Sequence, residues 1–309
     1  AARGRAAAVA IDASSQRLSR VKEAFRRRPV LAFCDHRMQR LPQPSARGFV
    51  ADSSTRGTLP QHSPIIRYMH GLSPHDGGNI IDWGRTSDDY AVFRPGYPPC
   101  FFERLRALGV GLPGQRLLDV GAGTGVLARV FAKQGCDVTA TDISPEQIEA
   151  CKRLAQEQGV KLEAFVAPAE NTGLPDAGFD LITASQSWLY FDRAKMITAV
   201  KRLLKPGGRR MTCHISWLPR LDPIARASEE LVLKHNPRWT AADWSGQIPV
   251  QPKWSGEDFD VAAMFQYDMP MPFTVETWRG RFRACRGVGA ALSPEQVEAF
   301  DREHDELLR

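Results

Sequence analysis

The 309-residue sequence has no apolar run approaching the 18 residues that a membrane-spanning helix needs, so we expect no bilayer anchor. It also has no C-x-x-C pair, because its six cysteines are scattered along the chain. This scatter argues against a disulfide framework or a zinc site, and we predict no metal. Scattered free thiols are typical of a reducing compartment, which predicts a cytoplasmic protein.

An evenly spread excess of positive charge is also missing. The formal net charge of +6 would suggest a nucleic-acid partner if it were uniform. Residues 1–80 instead hold 13 basic and 5 acidic side chains, whereas residues 81–309 hold 28 and 30. Residues 81–309 therefore lack the excess of basic side chains that is typical of a nucleic-acid-binding domain. We expect a small-molecule partner, no nucleic acid and no membrane, and the oligomeric state is left open.

Residues 1–80 lack a core-forming hydrophobic pattern and are interrupted by repeated prolines. Three interpretations remain open: a cleaved organellar transit peptide, a basic interaction tail, or an extension without evolved structure. The prolines favour the last. We therefore predict a basic, disordered extension over 1–80, which the fold should not need, followed by one domain over 81–309.

The segment Leu117–Ala128 combines a short apolar run, closely spaced glycines and a helical pattern. This order predicts a strand, a tight turn and the start of a helix. Gly121 and Gly123 have no Cβ, so a ligand could lie against their main chain. Unpaired N–H groups at the helix start would face the same place, which predicts a cofactor-holding turn.

Two residues bear on the choice of cofactor. A dinucleotide-binding turn has the spacing G-x-G-x-x-G/A, but Val126 stands where its third small residue belongs. Asp119, two residues before the first glycine, would repel a pyrophosphate and suits a cation. Asp142 ends the next apolar strand, 21 residues after Gly121, near the spacing at which an acidic residue meets ribose hydroxyls.

At these residues the sequence resembles the class I S-adenosylmethionine-dependent methyltransferases, in particular the UbiE and trans-aconitate-methyltransferase-like small-molecule group. The resemblance covers about 82–309 and includes the Pro206–Gly208 turn before a later strand. It implies S-adenosyl-L-methionine as cofactor and methyl transfer to a small organic acceptor. The alternatives are an NAD(P)-dependent oxidoreductase, which Val126 and Asp119 disfavour, or a non-catalytic cofactor-binding protein.

Strands and helices alternate from Arg116 onward, which predicts a parallel sheet with right-handed crossovers. The expected fold is α/β, a doubly wound, mostly parallel Rossmann-like methyltransferase sheet with residues 219–260 inserted as a lid. A further strand-like stretch covers Val261–Met269. The sequence ends at Arg309 before the family's final antiparallel strand, so we predict that this strand is lacking. Sheet strands are predicted over Arg116–Val120, Asp137–Asp142, Lys161–Val166, Phe179–Ala184 and Arg209–Ile215.

The resemblance also implies which residues contact the cofactor. Where the family has an acid that holds the adenine amino group, this sequence has Pro168, so adenine recognition falls to the Ala169 backbone or to Glu170. The predicted cofactor contacts are Asp119, Gly121, Ala122, Gly123, Asp142, Ile143, Ala169, Glu170 and Gln186.

Residues 82–98 concentrate aromatic and arginine side chains, and the resemblance implies that this aromatic arm covers the mouth of the cofactor and substrate site. The ends of strands four and five, which face the ligand crevice, supply the other predicted acceptor-side residues. If the acceptor must lose a proton, His214 is the candidate base, and the rate should fall below about pH 6.5. A carboxylate acceptor would need no base. The predicted substrate contacts are Tyr90, Arg94, Trp188 and Trp217.

Overall fold

The computed structural model describes residues 75–76, 79–246, 259 and 262–309. Most of the predicted 1–80 extension therefore lies outside the described residues. The same is true of 247–258, 260 and 261, which belong to the predicted lid and its end.

Within the described residues, the strands are β1 His75–Asp76, β2 Asn79–Ile80, β3 Arg116–Val120, β4 Asp137–Asp142, β5 Glu163–Val166, β6 Phe179–Ser185 and β7 Leu204–Cys213. The α-helices are α1 Ser87–Phe93, α2 Pro99–Ala107, α3 Val126–Lys133, α4 Pro145–Glu157, α5 Arg193–Leu203, α6 Pro223–His235, α7 Val275–Arg283 and α8 Pro294–Leu308. Short 3-10 turns cover Gly84–Thr86 and Trp188–Tyr190.

Five strands form one parallel sheet in the order β5-β4-β3-β6-β7. Strand order reverses at β3, since the chain runs outward to β4 and β5 on one side and later to β6 and β7 on the other. Ligands bind at such a switch point, beyond the carboxyl ends of the strands. The predicted doubly wound α/β fold is confirmed, and the turn after β3 lies at the switch point.

Both faces of the sheet are buried, because successive strand residues point to opposite sides. Leu117 packs with Leu127 and Phe131 on the face covered by α3. Leu118, next in the chain, packs with Met196 on the face covered by α5. The result is a three-layer core that holds the ends of β3 and its neighbours in fixed positions.

A second core is entirely helical. Helices α6, α7 and α8 bury Val232, Trp278, Phe282 and Phe300 against one another, and α7 also contacts α1. The described part of the predicted 219–260 lid thus contributes α6 to this packed helical layer, beside the aromatic arm that carries α1.

The predicted strand over Val261–Met269 is wrong for the described residues 262–269, which form no strand. Phe265 and Tyr267 pack beside α2 instead: the Phe265 ring lies 6.0 Å from that of Phe101, and Arg104 lies 5.1 Å over the Tyr267 ring. The aromatic alternation that suggested a strand therefore reflects side-chain packing without strand pairing.

The folded part begins before Ile81, because Asp76 is buried. One Asp76 carboxylate oxygen accepts the backbone N–H of Thr240 at 3.0 Å, and the other lies 3.2 Å from Nε of Arg286. Asp76 thus pairs with Thr240, which follows α6, and with Arg286, which follows α7. We accordingly move the proposed start of the domain from Ile81 to His75 or earlier.

Candidate functional site

The turn after β3 depends on glycine at two positions for different reasons. Gly121 and Gly123 have backbone φ angles of 61° and 56°, which residues with a Cβ rarely adopt. A Cβ on Gly121 would lie 2.5 Å from that of Ser187, so the chain itself fills this space. A Cβ on Gly123 would meet only Gln147 at 3.5 Å and Tyr90 at 3.8 Å. The Cβ position of Gly123 is therefore less crowded than that of Gly121, and the cofactor contacts expected at both glycines stay predictions.

Within the turn itself, before the helix starts at Val126, three N–H groups are paired inside the chain. The Ala122 N–H donates to the Thr141 carbonyl at 2.9 Å, and the Gly123 N–H donates to Oδ2 of Asp142 at 2.8 Å. The Gly125 N–H donates to the Ala122 carbonyl at 2.9 Å. These bonds tie the turn to the end of β4.

Asp142 ends β4 beside this turn, and its second oxygen accepts the Ser144 N–H at 3.0 Å. Burial raises the pKa of its carboxyl group. Ile143 is 69% exposed and Val166, paired with Asp142 across the sheet, is 49% exposed. A carboxylate flanked by exposed apolar side chains suits a nucleoside, which offers ribose hydroxyls and a flat base. Val166 is not among the predicted cofactor contacts, because its exposure arises only from where β4 and β5 end side by side in the sheet.

Asp119 lies beneath the turn and is almost completely buried. Its Oδ1 accepts the Thr183 hydroxyl at 2.6 Å, while Oδ2 has no hydrogen-bond partner among the described residues. Burial, with the nearby charge of Asp142, raises the pKa of this carboxyl to about 7, opposed by hydrogen bonds from the Thr183 hydroxyl and the Ala128 backbone. An unpartnered carboxylate oxygen in this place suits a cationic group.

Gln147 carries a second buried acceptor. Ser144 caps α4 by accepting the Gln147 N–H at 3.3 Å. The Gln147 side chain donates to the Trp83 carbonyl at 2.9 Å and so holds the aromatic arm against α4. Its Oε1 is buried beside Gly123 and has no partner among the described residues.

The end of β6 is shaped by Gln186, which has a φ of 61°. Its side-chain amide donates to the Ile215 carbonyl at 2.6 Å, so this predicted cofactor contact is engaged with the chain after β7. Trp188 packs on the α5 side of the sheet, with Arg210 4.4 Å over its ring and the Phe191 ring 6.1 Å away. The structure thus places this predicted substrate residue in a packed layer.

The chain after β5 holds the two candidates for adenine recognition. Ala169 is buried on the α5 side of the sheet. The Glu170 carboxylate accepts the Asp192 N–H at 2.8 Å, at the start of α5. The Glu170 side chain is therefore used to hold α5.

The aromatic arm brings Tyr90 beside the turn, and Arg94 follows at the end of α1. The Arg94 guanidinium lies 5.1 Å over the Tyr90 ring, and that ring faces Gly123. Helix α1 is fixed against α7 by the ion pair between Asp89 and Arg283 at 3.0 Å. Residues of the arm and of the C-terminal helices therefore meet above the switch point.

His214 and Trp217 follow the end of β7. The His214 ring lies 5.3 Å from that of Trp244 and keeps some exposed surface. Its pKa is lowered to about 3, first by loss of hydration and then by the charges of Arg94, Arg281 and Arg286. A base with so low a pKa is weak at neutral pH, which disfavours His214 as the general base, and the rate change near pH 6.5 stays a prediction.

Trp217 is mainly a packing residue of the helical layer. Its ring stacks on Phe282 at 4.7 Å, and its indole N–H donates to Glu229 at 2.6 Å. The ring nevertheless faces the guanidinium of Arg281, which lies 4.7 Å from its centre. Arg281 was not among the predicted site residues, because its burial cannot be read from an arginine-rich helix.

Residues 118–212 match the family described as Methyltransferase domain. The chain is 31% identical over 160 residues to a ubiquinone biosynthesis O-methyltransferase of Bordetella avium, covering 50% of this chain and 66% of that protein. It is 37% identical over 129 residues to an uncharacterized methyltransferase of Mycobacterium tuberculosis, covering 42% and 50%. The chain spans about half to two thirds of the length of these relatives.

A crystal structure of an S-adenosylmethionine-dependent methyltransferase from Clostridium acetobutylicum is similar at 25% identity and a TM-score of 0.33, covering 43% of this chain and 50% of that one. Among the described residues, no helix has the length and apolar character needed to cross a bilayer. The same residues contain no group of three or more His, Cys, Asp or Glu side chains arranged to hold a metal ion.

Proposed function

We propose that this chain, which carries a class I S-adenosylmethionine-dependent methyltransferase domain, transfers a methyl group from S-adenosyl-L-methionine to a small organic acceptor. One observation carries the proposal. The turn at the switch point of the sheet is uncrowded at the Cβ position of Gly123, and the Asp142 carboxylate lies 2.8 Å from the Gly123 nitrogen. This arrangement offers an approachable main chain and a ribose acceptor in one place.

The residues at this site fit S-adenosylmethionine. Asp142 would accept ribose hydroxyls, and charge-assisted bonds of this kind are worth roughly 1.5–3 kcal/mol each. Ile143 and Val166 would cover the adenine ring, with the Ala169 backbone nearby. The unpartnered oxygens of Asp119 and Gln147 suit the ammonium group. The cofactor roles of Gly121, Ala122, Glu170 and Gln186 become indirect, since these residues shape the turn and the strand ends.

When bound, S-adenosylmethionine supplies a sulfonium methyl group, whose bond to sulfur breaks with the electron pair retained on sulfur as the acceptor forms the new bond. The chain's own contribution is to align the acceptor and to exclude water. Such alignment can lower a barrier by roughly 7–11 kcal/mol. Tyr90 and Arg94 stand beside the turn and are the proposed acceptor-aligning residues.

His214 is a poor candidate for the general base, because burial lowers the pKa of its imidazole to about 3. The proposal therefore favours an acceptor that is already anionic, or acidic enough to be ionised at neutral pH. Trp188 and Trp217 would support the site by packing.

The oxidoreductase alternative finds no support at this site. Val126 begins α3 where a dinucleotide-binding turn needs a small residue, and Asp119 would face a pyrophosphate with negative charge. The non-catalytic alternative is distinguished from the proposal by measuring cofactor binding and methyl transfer separately.

A cytoplasmic location is supported by the five free cysteines of the described chain, and the balance of acidic and basic residues in 81–309 supports a small-molecule partner.

The proposal is tested by titrating the protein with S-adenosylhomocysteine in a calorimeter and then screening a metabolite library with labelled cofactor. Binding followed by label transfer is expected. Binding without transfer to any metabolite would favour the non-catalytic alternative. Binding of NAD(P)H in place of S-adenosylhomocysteine would favour the oxidoreductase.

A further inference from the structure

The sequence Ser-Pro-Glu-Gln occurs twice in the chain, at 144–147 and at 293–296, and each copy begins a helix, α4 and α8 respectively. The serine makes the same two contacts in both copies. Its hydroxyl oxygen accepts the backbone N–H of the glutamine at 3.3 Å, and the hydroxyl donates to the glutamate carboxylate at 2.7 Å. The two glutamines therefore occupy equivalent positions, and any difference between their side chains comes from their surroundings.

The side chains of these two glutamines have different partners. In α8, Oε1 of Gln296 accepts the Ser293 N–H at 2.9 Å and completes a capping box. In α4, the Asp142 carboxylate accepts the corresponding Ser144 N–H at 3.0 Å and takes the place of the glutamine. The Gln147 side chain is therefore not needed to cap its own helix, and its amide lies between the aromatic arm and the turn after β3.

One end of the Gln147 amide is bonded and the other is not. Its Nε2 donates to the Trp83 carbonyl at 2.9 Å, and because a carbonyl only accepts, this bond fixes which end carries the nitrogen. Oε1 is buried 3.5 Å from the Cβ position of Gly123 and has no hydrogen-bond partner among the described residues. A buried acceptor without a donor costs free energy, so this arrangement is disfavoured until Oε1 accepts a hydrogen bond.

The aromatic arm covers this amide. The Gly84–Thr86 turn of the arm packs on α4, and α1 packs on both α4 and α7. The Tyr90 ring of α1 lies 3.8 Å from the Cβ position of Gly123, which Oε1 of Gln147 also faces. Because Gln147 is only 3% exposed, the arm must shift before a ligand can reach Oε1.

On its other side the arm is attached to the C-terminal helical layer. The Asp82 N–H donates to the Ala290 carbonyl at 3.2 Å, and Asp89 pairs with Arg283 at 3.0 Å. These bonds lie along the arm away from the turn, whereas the bond from Gln147 joins the arm to α4 beside the turn. A change in the hydrogen bonding of Gln147 is therefore transmitted directly to the arm.

We propose that Gln147 is a positioning residue that makes closure of the aromatic arm depend on the bound cofactor. Its Oε1 accepts a hydrogen bond from a donor of the cofactor, either the ammonium group or a ribose hydroxyl. The amide is then bonded at both ends, which fixes its terminal torsion and removes the cost of the unpartnered acceptor. The arm closes on the Trp83 carbonyl and brings Tyr90 to the turn. The inference rests on the proposed methyltransferase function and adds an order of assembly, in which the cofactor binds before the acceptor site is complete.

The test measures hydrogen–deuterium exchange of peptides from 82–98 in the full chain, with and without a saturating ligand. The ligands are S-adenosylhomocysteine and methylthioadenosine, which keeps the ribose but lacks the amino-acid part, and calorimetry gives the affinity of each. Gln147→Met keeps the length of the side chain and removes both ends of the amide. Gln147→Asn keeps an amide that is one methylene too short to bond on both sides. The same two changes at Gln296, in the other copy of Ser-Pro-Glu-Gln, are the matched controls.

We expect S-adenosylhomocysteine to slow exchange in the arm about tenfold or more, which is the shift in equilibrium that satisfying one buried acceptor produces. In both Gln147 variants the saturating ligand should no longer slow exchange, whereas both Gln296 variants should respond like the unmodified protein. A purely structural role would change exchange equally with and without ligand, so the ligand-induced difference is the decisive quantity. An equal response to methylthioadenosine would identify a ribose hydroxyl as the donor, and a response to S-adenosylhomocysteine alone would identify the ammonium group.

Three outcomes would overturn the inference. If S-adenosylhomocysteine binds the unmodified protein without slowing exchange in the arm, water satisfies Oε1, and the methyltransferase proposal still stands. The same slowing in the Gln147 variants as in the unmodified protein would show that the arm responds through another contact. Loss of S-adenosylhomocysteine binding in both Gln147 variants would make Gln147 a cofactor contact alone. Failure of the unmodified protein to bind S-adenosylhomocysteine would instead reject the proposed function.

Discussion

The carboxylate of Asp142 accepts the backbone N–H of Gly123 at 2.8 Å, which ties the end of β4 to the turn after β3. The same carboxylate accepts the Ser144 N–H at the start of α4. Asp142 therefore shapes the turn and still has lone pairs to offer a ribose. One residue links the conformation of the turn to its proposed ligand.

Replacing Asp142 by alanine should weaken S-adenosylhomocysteine binding tenfold or more, since each decade corresponds to about 1.4 kcal/mol. Both the ribose acceptor and the bond to Gly123 would be lost. Calorimetric titration measures the change. Asp137→Ala, at the exposed opposite end of β4, is the matched control and should bind normally. Equal affinities in the two variants would remove Asp142 from the cofactor site.

Comparing Gly121→Ala with Gly123→Ala should distinguish a loss of stability from a loss of cofactor affinity. Both put a side chain at a positive φ, but the Cβ of Ala at 121 would meet Ser187 at 2.5 Å. We expect Gly121→Ala to lose about 1–3 kcal/mol more stability than Gly123→Ala, as in other overpacked sites. Gly123→Ala should mainly weaken S-adenosylhomocysteine binding. Urea unfolding and calorimetry measure these effects, and Ser187→Gly should partly rescue Gly121→Ala. Absence of rescue would show that the contact with Ser187 does not limit the turn.

His214 should stay neutral between pH 5 and 8 in the free protein. Its native pKa near 3 lies below the unfolded value of about 6.5, so stability from this group is present above pH 6.5 and is lost as pH falls towards 3. As pH falls from 7 to 5, the unmodified protein should therefore lose free energy of unfolding that the His214→Gln variant does not lose. Thermal unfolding and an NMR titration of the imidazole measure this. An imidazole that titrates near 6.5 would restore His214 as a candidate base.

The buried pair of Asp76 and Arg286 should make the stretch before Ile81 necessary for stability. Breaking a buried ion pair costs about 3–5 kcal/mol. For a domain of this size, Asp76→Asn should lower Tm by about 6 °C or more. A chain starting at Ile81 should show a similar loss, and one starting at His75 should not. Equal Tm values for the two truncations would return the boundary to Ile81.

Local features of the fold could be predicted from the sequence because they depend on neighbouring residues. The bounds of β3 and β4 were predicted to the residue, from apolar runs that end at glycine or aspartate. The start of α4 followed from Ser144 and Pro145. Alternation of strands and helices then implied the parallel sheet, and the order of the glycines pointed to the turn at its switch point.

Contacts between distant parts of the chain were decided only by the tertiary structure. The sequence determined that a carboxylate and glycines would meet at a strand end, because β3 and β4 pair through their own patterns. It could not show that Ser187 fills the space over Gly121 or that Glu170 is drawn to α5. Packing of α1 against α7 pairs Asp89 with Arg283, 194 positions apart, at 3.0 Å. Burial and the loss of hydration that comes with it arise only from such packing, and they lower the pKa of His214.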